Sequence, residues 1–170
     1  MKIHAAQLAD LDQIMAIQML CYYAIEPESR LSMASKIIAS PDTCFVVKER
    51  DMVRGYLLAI PVMSGEPPAL DSEACDLAGG ADCLYLHDLA VHPESRGLGV
   101  GCILVRQFMN IAHKKKFRHA SLVSIQDSFR FWQKQGFEAI VPPEKLQSKL
   151  MTYGQDAVYM EKLLIGIPQE

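Results

Sequence analysis

The sequence predicts an α/β fold of the α+β kind, with a central sheet of about six to seven strands flanked by about four helices. Strand-like runs and amphipathic stretches alternate in the order β α α β β β α β α β β. A strand, a glycine-rich turn and a helix follow one another without a break over 83–104. The chain of 170 residues has no internal repeat, linker or low-complexity tract. That length suits a single domain over 1–170 and can bury a real core.

Lys2–Ala6 reads as a short strand, and Asp10 is placed to cap a helix carrying Leu11, Ile14, Met15, Ile17 and Leu20 on its apolar side. Tyr22, Tyr23 and residues 24–28, broken at Pro27, connect it to a second helix over roughly Ser29–Ala39, which ends before Pro41. Thr43–Lys48 and Val53–Val62 pair as a hairpin about an Arg50-Asp51 turn. Pro61 puts the far end of the second strand at an edge or a bend. Residues 64–82 then break the pattern with Glu66, Asp71, Glu73, Asp76 and Asp82, no lysine or arginine, Pro67-Pro68 and Gly79-Gly80. This is a long surface insertion. It reads either as a solvated loop or as an acidic rim that attracts a cationic amine.

The leucine-rich run ending at Val91 is a buried strand, stopped by Pro93. Beyond the glycines, Val100, Leu104, Phe108 and Ile111 share one helix face. His119–Ile125 is a strand, continued by Gln126 and an Asp127 N-cap, and a short helix over Phe129–Trp132 stops at Gly136. Phe137–Val141 and Ala157–Leu164 are the last two strands, joined by a lysine-rich connection that Pro142-Pro143 opens.

A net charge of −3 argues against nucleic acid as a partner. The basic cluster Lys114-Lys115-Lys116 with Arg118 complements the negative end of the long helix. No run approaches the ~18 apolar residues of a membrane span, and the start lacks the apolar core of a signal peptide. The expectation is a cytoplasmic protein with no membrane partner. Five cysteines (21, 44, 75, 83, 102) carry neither a CxxC pair nor a histidine at zinc spacing, so no metal site is expected.

The strand–turn–helix unit points several backbone N–H groups, at the positive end of a helix dipole, towards one spot suited to phosphate. Arg96 adds a forked cationic donor. A dinucleotide fingerprint fails on spacing: Gly97 and Gly99 fit its first two glycines, but Cys102 stands at the third, and the expected acid some 20 residues on is missing. A Walker A loop fails for want of Gly-Lys-Ser/Thr. Arg96, Gly99 and Gly101, following Leu-Ala-Val-His-Pro at 89–93, instead form Arg-x-x-Gly-x-Gly. That pattern resembles the acetyl-coenzyme A signature of the GNAT superfamily (GCN5-related N-acetyltransferases). A second motif agrees: Phe131-Trp132-Gln133-Lys134-Gln135-Gly136-Phe137 is similar to the superfamily's Phe-Tyr-x-x-x-Gly-Phe. The resemblance covers essentially the whole chain. It implies a mixed sheet, splayed where coenzyme A wedges between the central strand and the next.

The resemblance also implies roles. The turn Arg96, Gly97, Leu98, Gly99, Val100 and Gly101 would hold the pyrophosphate, and the main chain of Leu89, Ala90 and Val91 would bind the pantetheine arm and polarise the thioester. Tyr22, Tyr23 and Glu26 would border the acceptor. For proton handling the central strand offers His87, Asp88 and Tyr85. Strand alternation sends His87 and Asp88 to opposite faces, so both can face the acceptor only if a bulge intervenes. Histidine suits proton removal near neutral pH. The run Leu86-His87-x-Leu-Ala-Val-His92 resembles the arylalkylamine N-acetyltransferases, where a histidine at the place of His87 helps relay the proton. Trp132 departs from the pattern, because it aligns with the usual tyrosine acid and an indole N–H cannot deliver a proton. Packing beside the cofactor is its expected part.

These readings make the chain an acetyl-CoA-dependent N-acetyltransferase, an acyltransferase acting on a small-molecule primary amine by direct attack on the thioester. The alternatives are a protein or peptide N-acetyltransferase and a non-catalytic acetyl-CoA-binding sensor. A lid formed by 64–82 would favour the small amine, and a groove open at both ends the peptide. The resemblance admits a homodimer.

Overall fold

The computed structural model describes residues 1–77 and 79–164, so Ala78 of the insertion lies outside the described residues. Its strands are β1 (Lys2–Ala5), β2 (Phe45–Glu49), β3 (Met52–Val62), β4 (Cys83–Val91), β5 (His119–Ser124), β6 (Glu138–Ala139) and β7 (Val158–Leu163). Its α-helices are α1 (Leu11–Cys21), α2 (Arg30–Ala39), α3 (Val100–Lys114), α4 (Phe129–Lys134) and α5 (Glu144–Leu150). The strands form one sheet in the order β1-β2-β3-β4-β5-β7-β6. Every neighbouring pair is antiparallel except β4 and β5, which run parallel. The sheet is therefore mixed, as expected.

Period-two alternation along the strands feeds two cores. Phe45, Val47, Leu57, Ala59, Leu84 and Leu86 pack on one face against Val100, Leu104 and Phe108 of α3. Val46, Tyr56, Leu58 and Ala90 pack on the other against Ile14 and Ile17 of α1 and Met33 and Ile37 of α2. Gly55 sets how closely α3 approaches the sheet. A Cβ there would lie 2.8 Å from Val100 Cγ1 and 3.1 Å from the Ala90 carbonyl oxygen.

Two irregularities in β4 shape the site. Leu58 pairs with Asp88 and Ala59 with Leu86, so His87 is the extra residue of a bulge. The bulge reverses the alternation: Leu84 and Leu86 face α3, but so do Leu89 and Val91. Asp88 and His87 consequently share the face of α1 and α2. The second irregularity is a splay. The parallel pairing with β5 ends at Leu86–Leu122, whereas β4 runs on to Val91.

Four local expectations are corrected. Asp10 makes no side-chain cap on α1. It ends a preceding 3-10 turn, where its buried carboxylate accepts from the Gln7 N–H and pairs with Lys48 of β2. Asp127 does not cap α4; Ser128 stands at that position, and Gln126 and Asp127 both adopt left-handed backbone (φ 49 and 61). The expected strand over Phe137–Val141 shrinks to two residues, because Pro142-Pro143 lacks N–H groups to continue it and Val141 is 86% exposed. The lysine-rich connection holds α5, whose single buried residue, Leu146, leaves no periodic apolar face for a sequence reading to find.

Candidate functional site

The splay opens a cavity of about 200 Å³ between β4 and β5, closed on its other sides by the end of α1, the connection into α2, and α4. Tyr22, Glu26, Tyr85, His87, Asp88, Leu89, Ala90, Val91, Arg96 and Trp132, all anticipated from sequence, line it. The main chain of residues 87–91 makes no β5 ladder bond here, which leaves polar backbone groups for a ligand on that side.

The phosphate turn lies at one end. Gly97 and Gly99 hold φ near +80, where a side chain would be strained, and Gly99 forms the N-cap of α3. The first turn of α3 contains no acidic residue. Gly97, Leu98, Gly99, Val100 and Gly101 do not line the cavity. Leu98 is exposed and the Val100 side chain is buried in the α3 core. Arg96 lines the cavity and donates to Cys21 Sγ at 3.6 Å, while the Cys21 thiol donates to the Val91 carbonyl at 3.3 Å. A small glycine turn at a helix N-terminus, a guanidinium and a strand segment without a β5 ladder partner suit a long, anionic, amide-bearing ligand such as a coenzyme A thioester.

The acid–base groups sit on the bulge. Asp88 is buried, with Oδ1 accepting from the Tyr22 hydroxyl and Oδ2 from the Tyr56 hydroxyl at 2.7 Å. Burial raises its carboxyl to about 6, against the two phenol hydrogen bonds that favour the charged form. Burial, with Asp88 adding to it, pushes the Tyr22 and Tyr56 phenols well above their ordinary value, so both keep their protons at neutral pH. Tyr85 is likewise raised, by burial and then by Tyr153 beside it.

His87 Nε2 lies 2.5 Å from Glu28 Oε1, and the His87 side chain is 0% exposed. Glu28 comes from the α1–α2 connection, two positions after the Glu26 expected at the acceptor, and is a site residue the sequence reading does not include. Its Oε2 accepts from Ser32 Oγ at 2.6 Å and from the Asp71 N–H at 3.2 Å, with Lys36 Nζ at 3.5 Å. Burial would raise Glu28, but the hydrogen bond and charge of His87, then Ser32 and Lys36, outweigh it and hold the carboxyl at about 2. The spacing Glu28, Ser32, Lys36 was the available signal, since residues four apart stack on one helix face.

Tyr23 is not brought into the cavity. α1 ends at Cys21, Tyr22 turns inward to Asp88, and the next ring therefore turns outward, leaving Tyr23 80% exposed. Its N–H and that of Ala24 donate to Gln126 Oε1, and Gln126 Nε2 donates to the Cys21 carbonyl at 3.0 Å. Gln126 thus ties the end of β5 to the end of α1 across the cavity mouth. Trp132 is buried, edge-on to Phe131 and Phe137. Tyr153, in the turn after α5, lines the same cavity, and burial pushes its phenol up to about 12.

The insertion lies across this site. Asp71 Oδ1 accepts from the Ser29 N–H at 2.7 Å, the Ser72 carbonyl accepts from Lys36 Nζ at 2.9 Å, and the Pro67 carbonyl accepts from Lys149 Nζ at 3.3 Å. Leu70 reaches the main cavity. A second, half-open pocket of about 710 Å³ adjoins it, shares Glu26, Pro27 and Leu70, and is also lined by Asp71, Lys149 and Thr152. Among the described residues no cluster of histidine, cysteine or carboxylate side chains could hold a metal ion.

The sequence profile of the acetyltransferase (GNAT) family matches residues 11–137. No curated protein matches the sequence significantly. Among solved structures, Ard1 from Thermoplasma volcanium superposes with a TM-score of 0.73 at 16% identity, over 96% of this chain and 97% of that one. Naa50 of Arabidopsis thaliana, in complex with the bisubstrate analogue CoA-Ac-MVNAL, gives 0.71 at 16% identity over 96% and 98%. PaiA N-acetyltransferase from Thermoplasma acidophilum, in complex with coenzyme A, gives 0.68 at 16% identity over 96% and 98%. At such identities the likeness is one of fold.

Proposed function

The chain belongs to the GNAT acetyltransferase family and uses acetyl-coenzyme A, and we propose that it acetylates a small primary amine. The observation that supports a small acceptor is the insertion 64–82. It is hydrogen-bonded to the α1–α2 connection and to α5, and it borders the cavity that adjoins the central one. A peptide acceptor needs a groove open along its length, and an insertion anchored on this side narrows the room for one. The carboxylates of Glu26, Glu28 and Asp71 around the connection favour a cation over an anion. The resemblance of 86–92 to the arylalkylamine branch agrees with an amine that has an apolar body.

When bound, acetyl-coenzyme A supplies the activated acetyl group. Arg96 and the backbone of 97–101 are the proposed pyrophosphate clamp. The backbone of Leu89, Ala90 and Val91, which has no β5 ladder partner, is the proposed holder of the pantetheine arm and polariser of the acetyl carbonyl. His87 is the proposed base for the acceptor ammonium. Asp88 has both oxygens engaged by tyrosines, so its proposed part is to hold Tyr22 in the wall. Trp132 packs beside the site and has no proton to give; Tyr153 keeps its hydroxyl proton at neutral pH in the same cavity.

The test is a release assay for free coenzyme A thiol, run with a panel of alkyl and arylalkyl amines and a matched panel of peptides with free amino termini. Turnover confined to small amines is expected. Efficient turnover of the peptides with none of the amines would overturn the small-acceptor reading.

A further inference from the structure

The α1–α2 connection carries more than a wall of the acceptor site. Glu28 is held rigidly. Gln18 of α1, itself buried, accepts from the Glu28 N–H at 3.1 Å and donates to the Glu28 carbonyl at 3.0 Å. Behind its carboxylate stands a buried chain. Lys36, 0% exposed, donates to Ser32 Oγ at 2.6 Å, and Ser32 donates to Glu28 Oε2. In front of it stands His87 Nε2. The other ring nitrogen, Nδ1, is buried and has no hydrogen-bond partner among the described residues.

That asymmetry has a chemical meaning. An ionised carboxylate can only accept, so the ring nitrogen facing it must carry the proton. The neutral imidazole then has its lone pair on the other nitrogen. A buried polar atom left unpaired is costly and calls for an explanation. A proton arriving from a ligand in the cavity that His87 borders would satisfy it.

We infer that Glu28 is a positioning residue that fixes His87 in the Nε2–H tautomer and so makes Nδ1 the atom that takes the proton from the acceptor ammonium, directly or through one water. The inference rests on the reading of His87 as the base. In the step, the ammonium N–H bond breaks and an Nδ1–H bond forms, leaving a neutral amine and an imidazolium paired with Glu28. The titratable groups around the ring are Glu28, with Lys36 behind it, Asp88 next to it in β4, and Tyr85, whose ring centroid lies 6.1 Å away; Tyr22 and Tyr153 line the same cavity. Of these, Glu28 alone is bonded to the ring.

Two measurements on the full chain test this. Imidazole ¹⁵N spectra of the wild type and the Glu28→Gln and Glu28→Asp variants need no acceptor. The expected result is the Nε2–H tautomer for His87 in the wild type, loss of that fixed tautomer in Glu28→Gln, and its recovery in Glu28→Asp. Steady-state kinetics use acetyl-CoA and the best amine of the panel. Glu28→Gln should lower kcat at least tenfold and leave the KM for acetyl-CoA within about twofold, and Glu28→Asp should recover kcat together with the tautomer. An Nδ1–H tautomer in the wild type, or Glu28→Gln with the tautomer unchanged, would overturn the proposal whatever happens to kcat. Should no amine be turned over, the spectra still decide the tautomer, and the failure falls on the acceptor reading instead.

Discussion

Two buried carboxylates on neighbouring elements are shifted in opposite directions, Asp88 up by burial and Glu28 down by its partners against burial, and the stability of the protein should show it. Asp88 has its carboxyl raised from an ordinary 3.8 to about 6, so the fold holds a proton that the unfolded chain has already lost. Its contribution to stability falls as pH rises from about 4 to 6. Glu28 is lowered from 4.5 to about 2, so its contribution is complete above 4.5 and is lost as pH falls through 2. Each limb is worth about 3 kcal/mol. Thermal melting across pH 2–8 should therefore show a contribution from these two groups that peaks near pH 4–5. Asp88→Asn should flatten the neutral side, and Glu28→Gln the acid side, whatever their effect on absolute Tm; a variant that leaves its limb intact would contradict the assignment. At this scale the sequence was informative about type and less so about pairing. His87, Asp88 and Tyr85 were visible as the titratable set of one strand. Glu28 was not, because its partner lies 59 positions away across a loop, and no local pattern encodes that contact.

At the scale of elements, the turn and helix at 96–114 were legible because three separate signals coincided: Pro93, the glycines and a clean helical face on α3. The bulge in β4 was not, since one extra residue in a strand leaves the hydrophobic pattern ambiguous rather than broken. Two glycines of this region have contrasting tasks. Gly55→Ala forces a Cβ against Val100 and the Ala90 carbonyl, and should cost about 1–3 kcal/mol in chemical denaturation. At Gly101 a Cβ would meet Phe131 at 3.5 Å, an ordinary contact, and the residue lies inside α3. Gly101→Ala should hold or raise stability, by up to about 1 kcal/mol. It should nevertheless weaken acetyl-CoA at least tenfold in a calorimetric titration, because the proposed pyrophosphate clamp passes through this turn. Unchanged affinity would remove Gly101 from the clamp.

Across the whole molecule, the mixed sheet and the cavity-lining places of Tyr85, residues 87–91, Arg96 and Trp132 followed from the motifs, whereas the contacts that hold the insertion did not. Residues 64–82 read either as a solvated loop or as an acidic rim, and most of the described ones are exposed or half-buried, yet their main-chain carbonyls at Pro67 and Ser72 bind Lys149 and Lys36. Composition describes side chains and is silent about such backbone contacts. The splay between β4 and β5 has a further consequence, outside catalysis. Strand backbone without a neighbour is adhesive, and proteins ordinarily blunt or cover it. Here the segment 87–91 lies in the middle of the sheet, so the pantetheine arm proposed to lie in the gap would serve as the missing strand. Acetyl-CoA at 100 times its Kd should add about 2.7 kcal/mol to stability, and the amides of Asp88–Val91 should be among those whose hydrogen exchange slows most. The protein would then be least prone to aggregate when its substrate is plentiful, and its lifetime would follow the supply of acetyl-CoA.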